Sequence, residues 1–142
     1  MQGEVLYGIL GAAQRLGDPP AVEEMMRIYN DWLIGFCSSA PERFAGIACI
    51  TSHNIQTAVE EIRRIGLKGV LRGLEVAITS ALKPLWHPEW HPVWEDAQET
   101  GLPVHFHTIG GKGPPPKASL STRPVNHLPA GSPVFSFRCR RS

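Results

Sequence analysis

The sequence predicts an α/β fold of about four parallel strands with helices between them. Short apolar runs that favour strands alternate with amphipathic segments that favour helices, from residue 4 to residue 107. Strands that alternate with helices form parallel βαβ units with right-handed crossovers. The 142 residues of the chain fall short of the roughly 200 that a complete eight-stranded α/β barrel needs. The pattern therefore fits either half of such a barrel or an open doubly wound sheet.

The first half of the chain predicts two strands on either side of a long helix. Glu4–Leu10 is a short apolar run typical of a buried strand. Asp18 can cap a helix with Pro19 or Pro20 in its first turn, and this helix should end before Pro41. The apolar residues of this helix recur every three or four positions: Val22, Met25, Met26, Tyr29, Trp32, Leu33 and Phe36. Phe44–Ile50 is apolar throughout, as expected of a strand covered on both faces.

The second half predicts another helix and a third strand. Ser52 or Asn54 can cap the start of this helix, and Gly66 fits the left-handed residue that ends it. Lys68–Leu74 is the predicted third strand. The prolines in residues 75–91 indicate an irregular segment.

A short helix from Pro92 to Gly101 and a fourth strand, Leu102–His107, complete the pattern. Side chains alternate between the two faces of a strand, so His105 and His107 share one face. The other face of this strand is apolar and suits packing on helices. In a barrel, the histidine face would point inward.

His107 is the best candidate for a metal ligand. It ends the predicted strand, and barrel enzymes place their catalytic groups at the carboxyl ends of strands. The glycines that follow at Gly110 and Gly111 would let a ligand approach closely. Neutral imidazole is a good ligand for zinc and related metals. Two histidines that form hydrogen bonds within a polar pocket would fit the same pattern.

The other histidines favour structural roles. His87 and His91 have the spacing HxxxH, but prolines interrupt the segment. We interpret both as surface or helix-entry residues. His53 and His127 are isolated in the sequence and are expected to be exposed to solvent.

Charge and composition divide the chain into two regions. Residues 1–109 carry all 13 acidic residues and 8 of the 14 lysines and arginines, which argues against nucleic-acid binding. Residues 112–142 are rich in proline, glycine and serine and contain no acidic residue. Such a composition buries too little apolar surface to offset chain entropy. We expect a folded domain over residues 1–111 and a basic tail without regular structure over residues 112–142.

The cysteines and the hydropathy pattern predict a cytoplasmic protein that does not enter a membrane. Cys37, Cys49 and Cys139 are odd in number and have no CxxC spacing, which favours reduced thiols. No stretch of the sequence reaches the roughly 18 apolar residues of a membrane span. The first residues lack the basic segment of a signal peptide.

Several phrases, taken in order, resemble the amidohydrolase-related family, which includes aminocarboxymuconate-semialdehyde decarboxylase and the hydroxybenzoate-type decarboxylases. They are Tyr29–Leu33 (YNDWL), Ala40–Gly46 (APERFAG), Ala58–Arg64 (AVEEIRR), Gly66–Val70 (GLKGV) and Gly101–His107 (GLPVHFH). Each phrase alone is weak, whereas the ordered set is fairly specific. The resemblance covers roughly residues 4–111.

The resemblance implies a partial TIM-type barrel with helices on its outer face and a divalent metal, commonly zinc, at its carboxyl-terminal mouth. Family members hydrolyse C–N or C–O bonds or decarboxylate small carboxylic acids without an organic cofactor. His107 matches the histidine ligand that ends the family's fifth strand, and His105 is expected to contact the substrate. The family's other ligands, a His-x-His pair, a later histidine and a final aspartate, have no counterpart in this sequence.

Three hypotheses follow. The chain is a fragment of a metal-dependent hydrolase or decarboxylase for a small carboxylate or amide substrate, inactive by itself. Alternatively, it is a non-catalytic α/β module that binds a partner or self-associates into a homo-oligomer, because a half barrel exposes strand edges and apolar faces. Thirdly, it is an independent open-sheet protein with a flexible tail.

Overall fold

The computed structural model describes residues 2–13, 15–79 and 82–108. The predicted boundary at residue 111 and the predicted tail over residues 112–142 lie outside these ranges. Of the described helices, none is long and apolar enough to cross a membrane.

Four parallel strands form a single sheet in chain order. They are β1 (Glu4–Leu6), β2 (Phe44–Ile50), β3 (Gly73–Ile78) and β4 (Val104–Thr108). The helices are α1 (Leu10–Ala13), α2 (Pro19–Ser38), α3 (Ile55–Lys68) and α4 (His91–Thr100). A 3₁₀ turn at Pro88–Trp90 leads into α4. The predicted alternation of parallel strands and helices is confirmed.

The sheet is curled, which decides between the two architectures that the sequence left open. The Tyr7 hydroxyl, just beyond β1, lies 3.0 Å from Nδ1 of His105 in β4. Two strands separate β1 from β4, so in a flat sheet the two backbones would be roughly 14 Å apart. The strands therefore form half of a TIM-type barrel with the helices on its outer face.

The core lies between the outer face of the sheet and the helices. Strand residues such as Ile50 and Leu74 pack there against Leu33 of α2, Ile62 of α3 and Val93 of α4. Each of these side chains is fully buried. Burial of a large aliphatic side chain contributes about 1.5–3 kcal/mol, so this layer holds the helices on the strands.

The predicted second helix is longer than expected, and the prediction for Gly66 is wrong. Asn54 caps α3, since its side chain accepts hydrogen bonds from the backbone N–H groups of Gln56 and Thr57. The left-handed residue that ends α3 is Gly69, with φ 66°. Gly66 lies inside the helix, where a Cβ would overlap the side chain of Thr100 in α4. Its lack of a side chain serves close helix packing and not helix termination.

The third strand begins later than predicted, because α3 continues past Gly66. Lys68 belongs to the last turn of α3, and the strand runs from Gly73 to Ile78. The expectation that residues 75–91 are irregular is therefore wrong for residues 75–78. The first strand is also shorter than predicted, because β1 ends at Leu6 and Leu10 already begins α1.

Candidate metal site

One row of side chains crosses the inner face of the half barrel. Cys49 in β2 is in register with Glu75 in β3, and Glu75 is in register with His105 in β4. His107 lies two residues further along β4 and therefore on the same face. The predicted common face of the two histidines is present, and it is the inner face.

The His107 imidazole is paired with a buried carboxylate. Its Nδ1 lies 2.6 Å from Oε1 of Glu75. The side chain of His107 is 52% exposed, whereas that of Glu75 is 1% exposed. The ring is thus anchored on one nitrogen and open to solvent elsewhere. Its Nε2 forms no hydrogen bond with the part of the chain that the structure describes.

Glu75 is held from a second strand as well. Its Oε2 accepts a hydrogen bond from the backbone N–H of Gly8, 3.0 Å away, just beyond β1. This close approach requires glycine, because a Cβ at position 8 would overlap Sγ of Cys49 and lie 3.2 Å from Oε2 of Glu75. Hydrogen bonds offset the cost of burying a carboxylate, and each oxygen of Glu75 has one.

His105 belongs to a neighbouring network of aromatic residues. Its ring meets that of Tyr7 edge-on, with centroids 5.5 Å apart, in addition to the contact between Nδ1 and the Tyr7 hydroxyl. The Tyr29 hydroxyl of α2 donates to the backbone carbonyl of Tyr7 at 3.0 Å. This carbonyl bond fixes the backbone at Tyr7, and with it the ring that contacts His105.

Cys49 contributes neither a nucleophile nor a metal ligand. Burial, together with a smaller effect of the nearby Glu75 carboxylate, raises the pKa of its thiol to about 12. The thiolate is the reactive and ligating form, so this thiol is inert near neutral pH. Cys37 is also buried and free. Both cysteines behave as small apolar residues of the core.

His53, His87 and His91 lie outside the four strands, in keeping with their predicted surface or helix-entry roles. His87 is half exposed and caps the 3₁₀ turn, where its Nδ1 accepts from the backbone N–H of Glu89 at 3.3 Å. His91 is the first residue of α4. His53 is exposed, and His127 lies outside the described residues.

Sequence reasoning missed Glu75 and Tyr7. Glu75 lies in the segment expected to be irregular, and its partners are 32 and 67 residues away in the chain. One signal was available. The run Gly73–Ile78 (GLEVAI) is a strand pattern with a single acidic residue at its centre, and a buried acid indicates a partner or a function.

The described residues offer one candidate ligand for a metal ion. With Nδ1 engaged by a carboxylate, the His107 ring has the arrangement common in metal-binding histidines, whose other nitrogen ligates the ion. Within residues 2–13, 15–79 and 82–108, no three His, Cys, Asp or Glu side chains are grouped to hold a metal ion. Catalytic zinc takes three protein ligands, so this region supplies one candidate ligand.

Comparison with protein families places this half barrel in a known class. A model of the amidohydrolase family matches residues 2–135. The chain therefore belongs to the amidohydrolase family. The matched range extends beyond residue 111, where the resemblance described above ends. No curated protein sequence matches the chain.

Two solved structures that resemble this chain are decarboxylases. The 5-carboxyvanillate decarboxylase LigW from Sphingomonas paucimobilis is 25% identical, with a TM-score of 0.66 over 75% of this chain and 32% of that chain. The 2,6-dihydroxybenzoate decarboxylase from Rhizobium is 25% identical, with a TM-score of 0.65 over 84% of this chain and 38% of that chain.

A third neighbour was solved with a metal. The 5-carboxyvanillate decarboxylase from Novosphingobium aromaticivorans, complexed with manganese and 4-hydroxy-3-methoxy-5-nitrobenzoic acid, is 20% identical. Its TM-score is 0.66 over 75% of this chain and 30% of that chain, which supports the fold alone. The chain thus spans about a third of the length of these structures.

Proposed function

We propose that this chain is part of a metal-dependent, non-oxidative decarboxylase, with His107 as one ligand of a divalent metal. The observation that carries the proposal is the anchoring of His107 Nδ1 by Glu75, while Nε2 has no hydrogen bond to any residue that the structure describes. Membership of the amidohydrolase family and the manganese of the third neighbour support a divalent ion. Imidazole is a typical ligand for zinc, whereas manganese is more often held by oxygen ligands, and zinc is also the metal that the family resemblance implies.

The proposed substrate is a small carboxylic acid of the benzoate type. Two neighbours at 25% identity are decarboxylases of 5-carboxyvanillate and 2,6-dihydroxybenzoate, which favours decarboxylation over C–N or C–O hydrolysis. When bound, the divalent metal would act as a Lewis acid that polarises an oxygen of the substrate. We propose that His105, on the same face and tied to Tyr7, contacts the substrate.

The function proposed is that of the whole enzyme, and the chain by itself is expected to be inactive. One protein ligand binds a divalent ion weakly compared with three. The residues that complete the site would come from the strands that close the barrel. Incubation of the purified chain with manganese or zinc and either benzoate substrate should therefore release no CO₂. Release of CO₂ that depends on His107 would contradict this expectation of inactivity.

Manganese relaxation tests the proposed ligand directly, because NMR detects a weak site. Substoichiometric Mn²⁺ should broaden the ring signals of His107 before those of His53, which is exposed and lies in the loop between β2 and α3. His107→Ala should abolish the selective effect, and His53→Ala should leave it unchanged. Equal broadening of His53 and His107 would overturn the proposal that His107 is a metal ligand.

A second candidate function is self-association without catalysis, favoured by the exposure of the inner face. Val5 and Tyr7 are 56% and 51% exposed, although a closed barrel would cover them. Sedimentation should distinguish the two. A stable dimer that Val5→Ser weakens would favour the binding module, whereas a monomer would leave the decarboxylase fragment as the better account.

A further inference from the structure

We infer that Glu75 is a positioning residue for His107, which fixes the tautomer of the imidazole so that Nε2 is the unprotonated nitrogen. The effect of this tautomer on metal binding rests on the proposed function, whereas the tautomer does not depend on it. The inference combines three observations: the burial of Glu75, its bond to Gly8 and its contact with His107.

The Gly8 backbone decides how the Glu75 carboxylate is used. A backbone N–H can only donate, and Gly8 donates to Oε2 at 3.0 Å. Oε2 is therefore committed as an acceptor on the β1 side. Glu75 is fully buried, and solvent cannot supply a substitute partner for its other oxygen.

The second carboxylate oxygen decides the state of the histidine. An ionised carboxylate only accepts hydrogen bonds, so the partner of Oε1 must donate. That partner is Nδ1 of His107, 2.6 Å away, and its proton therefore lies on Nδ1. In a neutral imidazole the other nitrogen then carries the lone pair. Glu75 thus prepares Nε2 as the ligating atom.

The arrangement joins three strands of the half barrel. Gly8 follows β1, Glu75 belongs to β3 and His107 belongs to β4, so the tautomer depends on the curl of the sheet. The contact between Gly8 and Glu75 requires a residue without a side chain, since a Cβ at position 8 would overlap Cys49 and crowd the Glu75 carboxylate.

Nitrogen-15 NMR of the histidine rings tests the inference in the full, metal-free chain. The His107 signals are assigned by their loss in His107→Gln. The wild-type ring should carry its proton on Nδ1. In Glu75→Gln, the amide carbonyl must accept from Gly8, so the amide NH₂ faces Nδ1 and the proton should move to Nε2.

Glu89→Gln is the matched control, because it makes the same change beside another histidine. The Glu89 carboxylate lies 3.8 Å from Nδ1 of the exposed His87. This variant should leave the His107 tautomer unchanged. A wild-type His107 protonated on Nε2, or a tautomer that Glu75→Gln leaves on Nδ1, would overturn the inference. The wild-type spectrum decides the matter even if Glu75→Gln fails to fold.

Mn²⁺ binding separates this inference from the proposed function. If both hold, Glu75→Gln should weaken the Mn²⁺ effect at His107 by about 10- to 100-fold, as loss of the partner of a ligating histidine typically does. If the wild-type proton lies on Nδ1 but Mn²⁺ causes no selective broadening, the metal-ligand role of His107 is wrong. The inference that Glu75 positions His107 would still hold. If Mn²⁺ broadens His107 selectively but the proton lies on Nε2 before metal is added, the inference about Glu75 is wrong. The metal-ligand role of His107 would still hold.

Discussion

The buried amide of Asn30 in α2 bonds both backbone groups of Cys49 in β2. Its Oδ1 accepts from the Cys49 N–H at 2.8 Å, and its Nδ2 donates to the Cys49 carbonyl at 2.9 Å. β1 pairs with β2 only as far as Gly46. Beyond that point the Asn30 side chain replaces a neighbouring strand, because it forms the hydrogen bonds that the Cys49 N–H and carbonyl would otherwise lack.

Asn30→Ala should lower the free energy of unfolding by about 3 kcal/mol, because two buried backbone groups lose their partners at about 1–3 kcal/mol each. Denaturant titration measures the change. Asn54→Ala, which removes only the exposed cap of α3, should cost about 1 kcal/mol. Equal losses for the two variants would show that Asn30 does not support β2.

Gly8→Ala should destabilise the protein by about 1–3 kcal/mol, the usual cost of overpacking. The new methyl group would overlap Sγ of Cys49 and press on Glu75. Gly11→Ala is the control, because Gly11 lies in α1 with no atom within 4 Å of a Cβ there. Thermal unfolding should show Gly11→Ala unchanged or slightly stabilised. A stable Gly8→Ala variant would contradict the close packing at this site.

Gly66→Ala should be destabilising by about 1–3 kcal/mol, although alanine favours helices, because the new Cβ would overlap Cγ2 of Thr100. Thr100→Ser removes that methyl group and keeps the hydroxyl. The double variant should recover the loss and gain up to about 1 kcal/mol of helix propensity. A double-mutant cycle by denaturant titration measures the coupling, and additive effects would exclude direct contact.

Stability should fall as pH rises above 9. Burial raises the pKa of Cys49 from the ordinary value of 9.0 to about 12, so the unfolded chain loses this proton first. The protonated Cys49 thiol contributes fully to the free energy of unfolding below pH 9, and this contribution disappears as the pH approaches 12. Its slope is at most about 1.4 kcal/mol per pH unit for one thiol.

The Cys49→Ala variant isolates this contribution in alkaline denaturation curves. Burial also raises the pKa values of Cys37 and Tyr29, which act in the same direction and remain in the variant. The slope of stability against pH should therefore become shallower without vanishing. An unchanged slope would show that Cys49 ionises equally in the folded and unfolded states.

Most of the fold was predictable because its signals are local. The bounds predicted for β2 are those observed, and the prolines predicted for the first turn of α2 lie there. The shared face of His105 and His107 follows from strand alternation. The errors at Gly66 and Lys68–Leu74 share one cause. A glycine that ends a helix and a glycine that allows two helices to touch look alike in sequence, and only the position of Thr100 distinguishes them.

The sequence by itself determined the order of strands and helices, the parallel sheet and a histidine at the end of the last described strand. Only the tertiary structure decided that the sheet curls and that Glu75, Gly8 and His107 meet. Hydrophobic periodicity records which face of each element is buried, and it is carried by neighbours in the chain. A hydrogen bond between residues 32 or 67 positions apart depends on how the sheet bends, and no local pattern encodes that bend.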